Sequence, residues 1–454
     1  MKALVESQRA YYHTHETKGY AFRIQQLKKL RRAIMDHEEA IYDALNNDLH
    51  KPRFESYGTE IGLVLEEITF AMKHLKRWMK PKRVKSPLAQ YPSSSKIYRD
   101  PYGVVLIMSP WNYPFMLAMM PVVGAMAAGN CVVIKTSRYA EHTSGVIAKM
   151  LNEAFPAHYI KVVEGGRDVN QALLAERFDY IFFTGSTTVG KIVMERAAKD
   201  LTPVTLELGG KNPCVVDETA NIAQASQRIV WGKFINGGQT CVAPDHIVVH
   251  SSVKDQLIAG MKKAIKEFYG DDPQKSADFC RVINEKHYKR LLGLIEEDKL
   301  VCGGEHDEKE RYIAPTVMDG VSYDDAVMQE EIFGPVLPIL TYDDLDAFIA
   351  EQVQRPKPLA LYIFSKSKAN IQKVTTQLSY GGGCINDTVV HVSNNAMPFG
   401  GVGDSGMGGY HGNDSFDTFS HKKSILINEP WMDVKLRFAP YKEGTLKLVR
   451  KIMK

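Results

Sequence analysis

The sequence has few cysteines, and none of them is arranged as a metal-binding pair. Six cysteines are scattered over 454 residues, and no two have the Cys-x-x-Cys spacing that is typical of structural zinc sites. Residues 1–10 contain no apolar core of the kind that a signal peptide requires. Together these absences predict that no metal is bound and that the setting is reducing and cytoplasmic.

A strong excess of one charge is also absent. The 57 lysines and arginines nearly balance the 53 aspartates and glutamates, so the net charge is only +4. We therefore expect no nucleic-acid partner, because nucleic-acid surfaces need clustered positive charge. With 44% hydrophobic and 24% charged residues, the composition is typical of a folded globular protein.

No apolar run is long enough to predict a membrane span. The run 115–129 carries no charge, but it contains Pro121 and stops at Asn130, short of the roughly 20 residues that a spanning helix needs. A buried helix is the better interpretation, and we expect no stable membrane insertion. The tail, 431–454, is basic and could form a short amphipathic helix; its basic residues include Lys442, Lys447, Arg450, Lys451 and Lys454. We favour a solvated helix packed on the body over contact with a membrane.

What the chain does contain is an ordered series of helical and strand-like segments. Apolar side chains recur at helical spacing within 24–34 and 61–75. The polar stretch 81–99 predicts a crossing segment or hairpin outside the core. From residue 104 short apolar runs alternate with helical stretches, and a second series begins near Pro213. This alternation predicts an α/β fold with parallel sheets covered by helices.

One cysteine lies in polar, glycine-rich surroundings. The segment Phe234-Ile-Asn-Gly-Gly-Gln-Thr-Cys241 ends a helical stretch in a turn. A lone cysteine is most often a small core residue, but a structural cysteine prefers apolar neighbours. Cys241 is therefore a candidate nucleophile, since a thiolate is reactive and a site can lower the pKa of a thiol.

A single carboxylate stands among apolar residues at the end of a strand. It is Glu207, in Thr205-Leu-Glu-Leu-Gly-Gly-Lys-Asn-Pro213. Taken alone, such a residue more often faces water. An apolar setting would instead raise the pKa of its carboxyl group and keep it available as a base near neutrality.

Two turns that follow strands are candidate binding elements. Gly185-Ser-Thr-Thr-Val-Gly190 joins a strand to a helix, where free backbone N–H groups can face a phosphate. It nearly matches a nucleoside-triphosphate P-loop, but Ile192 has no hydroxyl group for Mg²⁺, and the dinucleotide pattern Gly-x-Gly-x-x-Gly is absent. In Pro110-Trp-Asn112-Tyr-Pro114 two prolines restrict the turn, which leaves Asn112 as an amide donor suited to an oxyanion or as a simple turn cap.

These motifs occur in a fixed order, followed by Glu331-Ile-Phe-Gly-Pro335 and Pro398-Phe-Gly-Gly-Val-Gly403. From about residue 5 to residue 430 the chain resembles the aldehyde dehydrogenase superfamily. The short N-terminus and Ser405-Gly-Met-Gly-Gly-Tyr-His411-Gly resemble its class 3 type, which includes fatty and aromatic aldehyde dehydrogenases.

The resemblance implies a role for each matching residue. Cys241 is then the nucleophile, Glu207 the base for hydrolysis, and Asn112 with the Cys241 backbone N–H the oxyanion hole. NAD or NADP is the expected cofactor. The residues expected near it are Lys135, Gly185, Ser186, Thr187, Thr188, Val189, Gly190, Glu331 and Phe333, with Asn386 and Phe399 lining the active site less directly.

The resemblance also implies a domain plan and a homodimer. A Rossmann-like cofactor-binding domain with N-terminal helices is expected to precede a second α/β catalytic domain, with small bridging or oligomerisation segments. The expected ranges are 1–80 and 103–209 for the cofactor domain, 210–410 for the catalytic domain, 81–102 and 411–430 for the bridging segments, and 431–454 for the basic tail.

One position departs from the family pattern. Relatives commonly have Lys-Pro-Ser-Glu where this chain has Lys135-Thr-Ser-Arg138, and that glutamate accepts hydrogen bonds from the adenosine ribose. Arg138 cannot accept a hydrogen bond. We therefore expect Arg138 to weaken a strict preference for NAD.

Two other functions compete with aldehyde oxidation to a free acid. A CoA-acylating enzyme would pass the acyl group to a thiol, but Glu207 stands at the position of the hydrolytic base. A non-catalytic protein that only retains the fold is disfavoured by the combination of Cys241, Glu207 and Asn112. The sequence leaves the aldehyde open between medium- or long-chain aliphatic and aromatic compounds.

Overall fold

The structure is a computed structural model that describes residues 1–432 and 438–453. Residues 433–437 and 454 of the predicted basic tail lie outside the described residues. The helices are α1 (Lys2–Tyr12), α2 (Tyr20–Asp36), α3 (Glu38–Leu49), α4 (Arg53–Ser56), α5 (Gly62–Trp78), α6 (Met116–Ala128), α7 (Glu141–Ala154), α8 (Arg167–Leu174), α9 (Thr187–Ala198), α10 (Ile222–Phe234), α11 (Lys254–Tyr269), α12 (Glu285–Leu292), α13 (Ala326–Gln329), α14 (Leu345–Val353), α15 (Lys368–Gln377), α16 (Gly412–Thr418) and α17 (Glu443–Ile452). The strands are β1 (Lys82–Val84), β2 (Ser94–Pro101), β3 (Val104–Met108), β4 (Cys131–Lys135), β5 (Ile160–Val163), β6 (Tyr180–Thr184), β7 (Val204–Glu207), β8 (Pro213–Val216), β9 (His246–His250), β10 (Leu300–Cys302), β11 (His306–Asp307), β12 (Tyr312–Ile313), β13 (Thr316–Met318), β14 (Val336–Tyr342), β15 (Ala360–Phe364), β16 (Gly382–Ile385), β17 (Gly406–Met407) and β18 (Ser420–Ile427).

The predicted alternation of strands and helices forms a sheet in the first half of the chain. Its strand order is β17-β7-β6-β3-β4-β5, and all pairs are parallel except β17 with β7. β3, β4 and β6 are buried along their whole length, which is why they are continuous apolar runs. The α/β fold class is therefore confirmed.

A second sheet has the order β10-β13-β14-β9-β8-β15-β16, and its pairs are parallel except β10 with β13. It lies in the part of the chain that we expected to form the catalytic domain. That part also contributes β17 to the first sheet, so the two sheets are linked by a distant segment. A two-residue strand carries no periodic pattern, and the sequence did not predict it.

The polar stretch 81–99 forms the predicted hairpin outside the core. β1 pairs with β2, and β2 pairs along its full length with β18. β18 leaves Ile425 and Leu426 exposed by 38% and 48%. β1, β2 and β18 lie within the ranges 81–102 and 411–430, which were expected to bridge subunits.

The apolar run 115–129 is a buried helix, as predicted, and not a membrane span. All of α6 after Met116 is buried, and a side chain at Gly124 would meet the Cβ of Ser415 at 2.7 Å. In residues 1–432 and 438–453, each helix is too short or too polar to cross a bilayer. α17 forms as predicted, but Leu446 and Leu448 are 48% and 43% exposed. The helix is therefore solvated, as expected, and these two side chains are not buried against the body.

Candidate active site

Cys241 lies beyond a left-handed turn that interrupts the helical path of α10. Within the turn Ile235–Gly238, Asn236 and Gly237 have φ values of 56° and 61°. Gly238 approaches Gly334 so closely that a Cβ would meet its carbonyl oxygen at 2.3 Å. The backbone carbonyl of Cys241 accepts a hydrogen bond from Asn212 Nδ2 at 2.7 Å. The thiol is thereby held outside any helix, as the sequence predicted.

Cys241 lines two cavities at once. One, of about 510 Å³, is also lined by Asn112, Glu207 and Glu331. The other, of about 620 Å³, is lined mainly by apolar side chains, among them Phe54, Leu63, Met116, Trp231, Phe268 and Val392. Phe399 lines both cavities, as expected. A group bound on each side would therefore meet at the thiol.

Glu207 ends β7 inside the more polar cavity. The side chain is buried, and within the described part of the chain neither carboxylate oxygen has a hydrogen-bond partner. Burial raises the pKa of this carboxyl group well above its usual range. The structure thus reproduces the apolar setting that the sequence indicated.

The environment of the Cys241 thiol shifts its pKa. Burial, together with the nearby carboxyl groups of Glu331 and Glu207, raises the thiol pKa to about 12, and the backbone N–H groups of Cys241 and Val242 only partly oppose this. The site thus raises the thiol pKa, although many nucleophilic cysteines lie in sites that lower it. Attack by sulfur therefore needs a group that removes the thiol proton.

Asn112 is held in place through both its side chain and its backbone. Its Nδ2 donates to the carbonyl of Gln239 at 3.0 Å, and its own backbone carbonyl accepts from Asn236 Nδ2 at 2.7 Å. These contacts tie the Asn112 turn to the turn that precedes Cys241. They hold the amide group at the cavity wall.

The turn after β6 presents the start of α9 to the same cavity. Gly185, Ser186, Thr187 and Thr188 line it, and Ser186 caps the helix by accepting from the Val189 N–H at 3.4 Å. Val189 and Gly190 do not line this cavity: Val189 is 39% exposed, and Gly190 packs against Leu208. Free N–H groups at the first turn of a helix are suited to an anionic diphosphate.

Glu331 and Phe333 close the other side of this cavity. A Cβ on Gly209 would meet Glu331 Oε2 at 1.9 Å, so only glycine allows this approach. Glu331 Oε1 has no hydrogen-bond partner in the described residues, and Phe333 contacts Trp111 edge to face at 5.3 Å. An acceptor oxygen, an aromatic wall and a helix N-terminus around one cleft fit a dinucleotide.

Lys135 and Arg138 lie at and beyond the end of β4, outside the residues that line this cavity. Lys135 is buried, donates to the Thr136 carbonyl, and has its pKa lowered to about 8 by burial and by Arg138. Arg138 lies over the Tyr139 ring, with its guanidinium carbon 5.0 Å from the ring centroid. A Cβ on Gly166 would be 3.3 Å from Arg138 Nη1, so the guanidinium group borders the loop after β5.

Several residues that the sequence motifs did not single out lie at the site. His287 and Arg290 of α12 line the cleft, and His411 lines the apolar cavity. Among the described residues, the ring nitrogens of His411 have no hydrogen-bond partner. Lys211 donates to the carbonyls of Val327 and Glu330 at 3.0 and 2.9 Å, which anchors the Glu331 loop. In the sequence, only their place in the Gly-Gly-Lys-Asn motif after Glu207 indicated that Lys211 and Asn212 lie at the site.

Asn386 does not line either cavity, contrary to the expectation. Its side chain exchanges two hydrogen bonds with the backbone of Ser365, at 2.8 and 2.9 Å. The amide group therefore joins the ends of β15 and β16 and has a structural role.

The family model described as "Aldehyde dehydrogenase family" matches residues 1–425. The chain is 52% identical over 448 residues to 4,4'-diaponeurosporen-aldehyde dehydrogenase of Staphylococcus aureus, covering 98% of this chain and 97% of that protein. It is 47% identical over 439 residues to "Aldehyde dehydrogenase, dimeric NADP-preferring" of Canis lupus familiaris, covering 96% of this chain and 97% of that protein. A solved structure of substrate-bound Staphylococcus aureus AldH superposes with a TM-score of 0.98 at 50% identity, covering 100% of this chain and 99% of that one.

Proposed function

Because this chain belongs to the aldehyde dehydrogenase family and is an NAD(P)-dependent oxidoreductase that converts an aldehyde to an acid, we propose that the reaction proceeds through a thioester on Cys241. The observation that carries the proposal is the position of Cys241, which lines both the polar cleft and the apolar cavity. The aldehyde then approaches from the apolar side and the nicotinamide from the other.

In the first step the Cys241 sulfur forms a bond to the aldehyde carbon. The thiol proton goes to Glu207, whose carboxylate interacts electrostatically with the thiol. The carbonyl electron pair moves to oxygen, where Asn112 Nδ2 and the Cys241 N–H stabilise the negative charge. The bound NAD or NADP supplies the hydride acceptor. As the carbon–oxygen double bond re-forms, the carbon loses its hydride and a thioester remains.

Before the second step Glu207 releases the thiol proton to solvent and returns to its carboxylate form. Glu207 then removes a proton from a water molecule, and the resulting hydroxide attacks the thioester carbon. The carbon–sulfur bond breaks, the acid leaves, and the thiolate takes back a proton from Glu207. A buried carboxyl group with a raised pKa is suited to this task, because its conjugate base binds a proton strongly.

The apolar cavity supports a medium- or long-chain aliphatic or an aromatic aldehyde. The cavity has a volume of about 620 Å³ and mainly apolar walls. Binding of an aldehyde there becomes more favourable as its chain lengthens, because more apolar surface is removed from water. We expect kcat/KM in a series of linear aldehydes to rise about fourfold per added CH₂ group until the cavity is filled.

A panel of linear and aromatic aldehydes, assayed with and without CoA, tests this substrate class. Turnover of short and long aldehydes at equal kcat/KM contradicts the proposed role of the cavity. A requirement for CoA contradicts release by hydrolysis and supports an acylating enzyme instead.

We expect NADP to be used at least as well as NAD because of Arg138. A guanidinium group attracts the 2′-phosphate of NADP, whereas the glutamate that is common in relatives repels it. The Canis relative, whose name calls it NADP-preferring, is consistent with this expectation. The Arg138→Glu variant should shift the ratio of kcat/KM values toward NAD by about tenfold or more.

The matched control is Lys262→Glu, which makes the same charge change on an exposed position of α11. The ratio of the two kcat/KM values should not change in that variant. A wild-type enzyme that prefers NAD by tenfold or more, with an unchanged ratio in Arg138→Glu, would show that Arg138 does not contact the cofactor.

We also propose a cytoplasmic homodimer with the domain ranges given by the resemblance. The exposed β18 strand, with Ile425 and Leu426 outward, supports a subunit contact at the bridging segments. Light scattering of wild type and of an Ile425→Lys/Leu426→Lys variant compares their molar masses. A variant that keeps the wild-type dimer mass contradicts this location of the contact.

A further inference from the structure

A buried ion pair that the mechanism does not use lies directly behind the Asn112 turn. Lys51 Nζ is 2.5 Å from Glu60 Oε1, and both side chains are fully shielded from solvent. Such a pair contributes little net stability, because the loss of hydration offsets the attraction between the charges. The role of the pair is therefore to be sought in the groups that its two side chains contact.

Both members of the pair contact the segment that begins with Asn112. Glu60 Oε2 accepts hydrogen bonds from the backbone N–H groups of Phe115 and Met116, each at 3.0 Å, and so caps the start of α6. Lys51 Nζ donates to the Asn112 carbonyl at 3.4 Å and lies 4.1 Å from the centroid of the Tyr113 ring. The pair thus restrains the Asn112 turn at both of its ends.

The same turn is linked to the segment that carries the nucleophile. Besides the Asn112 contacts with Asn236 and Gln239, the Tyr113 hydroxyl group lies 2.7 Å from Thr240 Oγ1, next to Cys241. A displacement of the Asn112 turn would therefore change the distance between the amide group and the thiol.

A second acidic side chain near this pair contacts the nucleophile turn. Glu55 lies in α4, just before the π-helical segment Tyr57–Ile61 that contains Glu60. Glu55 Oε2 accepts the Asn236 N–H at 3.0 Å. The N-terminal helices thus contact both the Asn112 turn and the nucleophile turn.

We propose that Lys51 and Glu60 are positioning residues that set the oxyanion-stabilising amide of Asn112 relative to Cys241. This inference rests on the proposed role of Asn112. Loss of an oxyanion donor lowers rates by about 10²- to 10³-fold, and a displacement near 1 Å can cost about 10²-fold. Neither Lys51 nor Glu60 lines either cavity, so the pair acts on the reaction through Asn112.

A double-mutant cycle tests this inference. The variant Lys51→Met/Glu60→Gln removes both charges together and keeps the side-chain sizes similar, which avoids a single unpaired buried charge. Stopped-flow measurement of NAD(P)H formation in the first turnover, with cofactor and aldehyde saturating, reports the steps up to the thioester. We expect a fall of about 10- to 100-fold in the wild-type background and of less than about threefold in an Asn112→Ala background. The Kd of the cofactor should be unchanged.

The matched control is Lys254→Met, which breaks the Lys254–Asp319 pair at 2.8 Å away from both cavities and should leave the rate unchanged. An equal fall in both backgrounds would overturn the inference while leaving the role of Asn112 intact. So would a normal rate in the doubly neutral variant. An Asn112→Ala enzyme with a normal rate would overturn the proposed role of Asn112, and the inference with it. If the neutral variant does not fold, Lys51→Arg, which keeps the charge but moves the donor, replaces it in the same cycle.

Discussion

Replacing Cys241 with alanine is expected to abolish aldehyde oxidation while leaving the fold intact. Alanine cannot form the carbon–sulfur bond, so no tetrahedral adduct exists from which a hydride can leave. The measured quantity is NAD(P)H formation at 340 nm in the presence of aldehyde. Residual activity above a few per cent of the wild-type rate would contradict the assignment of Cys241 as nucleophile.

The control for this variant is Cys302→Ala. Cys302 is a half-buried cysteine in β10, and it does not line either cavity. Its removal should leave the rate near that of wild type. A Cys302→Ala enzyme as inactive as Cys241→Ala would point to a general effect of cysteine loss rather than to loss of a nucleophile.

Replacing Glu207 with glutamine is expected to slow hydrolysis of the thioester more than its formation, with release of the acid slowed by about 10²- to 10⁴-fold, which is the usual contribution of a general base. Glutamine keeps the size of the side chain but cannot accept the proton from water. Mass spectrometry of enzyme mixed with cofactor and aldehyde should then show an acyl group on Cys241. A collapse of turnover without this adduct would assign Glu207 to activation of the thiol alone.

The pH dependence provides a second measurement for Glu207. Because burial raises the pKa of its carboxyl group well above the usual range, the active carboxylate form becomes more populated as pH rises. Turnover limited by hydrolysis should therefore increase with pH in wild type and lose that dependence in Glu207→Gln. Glu67→Gln removes a carboxyl group that is equally buried but bonds the Gly412 N–H, and it should keep the wild-type profile.

The fold class could be read from the sequence because it depends on local periodicity. Continuous apolar runs such as Val104–Met108 form strands buried on both faces, and the run after Phe115 forms a helix that is apolar all around. The short strand Gly406–Met407 could not be predicted, since its only reason to be extended is its pairing with Leu206 and Glu207, some two hundred residues earlier. Pairing over such a separation leaves no local pattern.

By itself, the sequence determined the fold class, the family and the residue types available for chemistry, because strands, turns and short motifs are encoded by neighbouring residues. Only the tertiary structure decided that Cys241 lines two cavities, that its thiol pKa is raised rather than lowered, and that Asn386 joins two strands instead of lining the site. It also placed Lys51 and Glu60 against the Asn112 turn, although Asn112 lies 61 residues beyond Lys51 in the chain. Burial and electrostatic contact depend on which distant segments meet, and that is set by packing of the whole chain rather than by any local pattern.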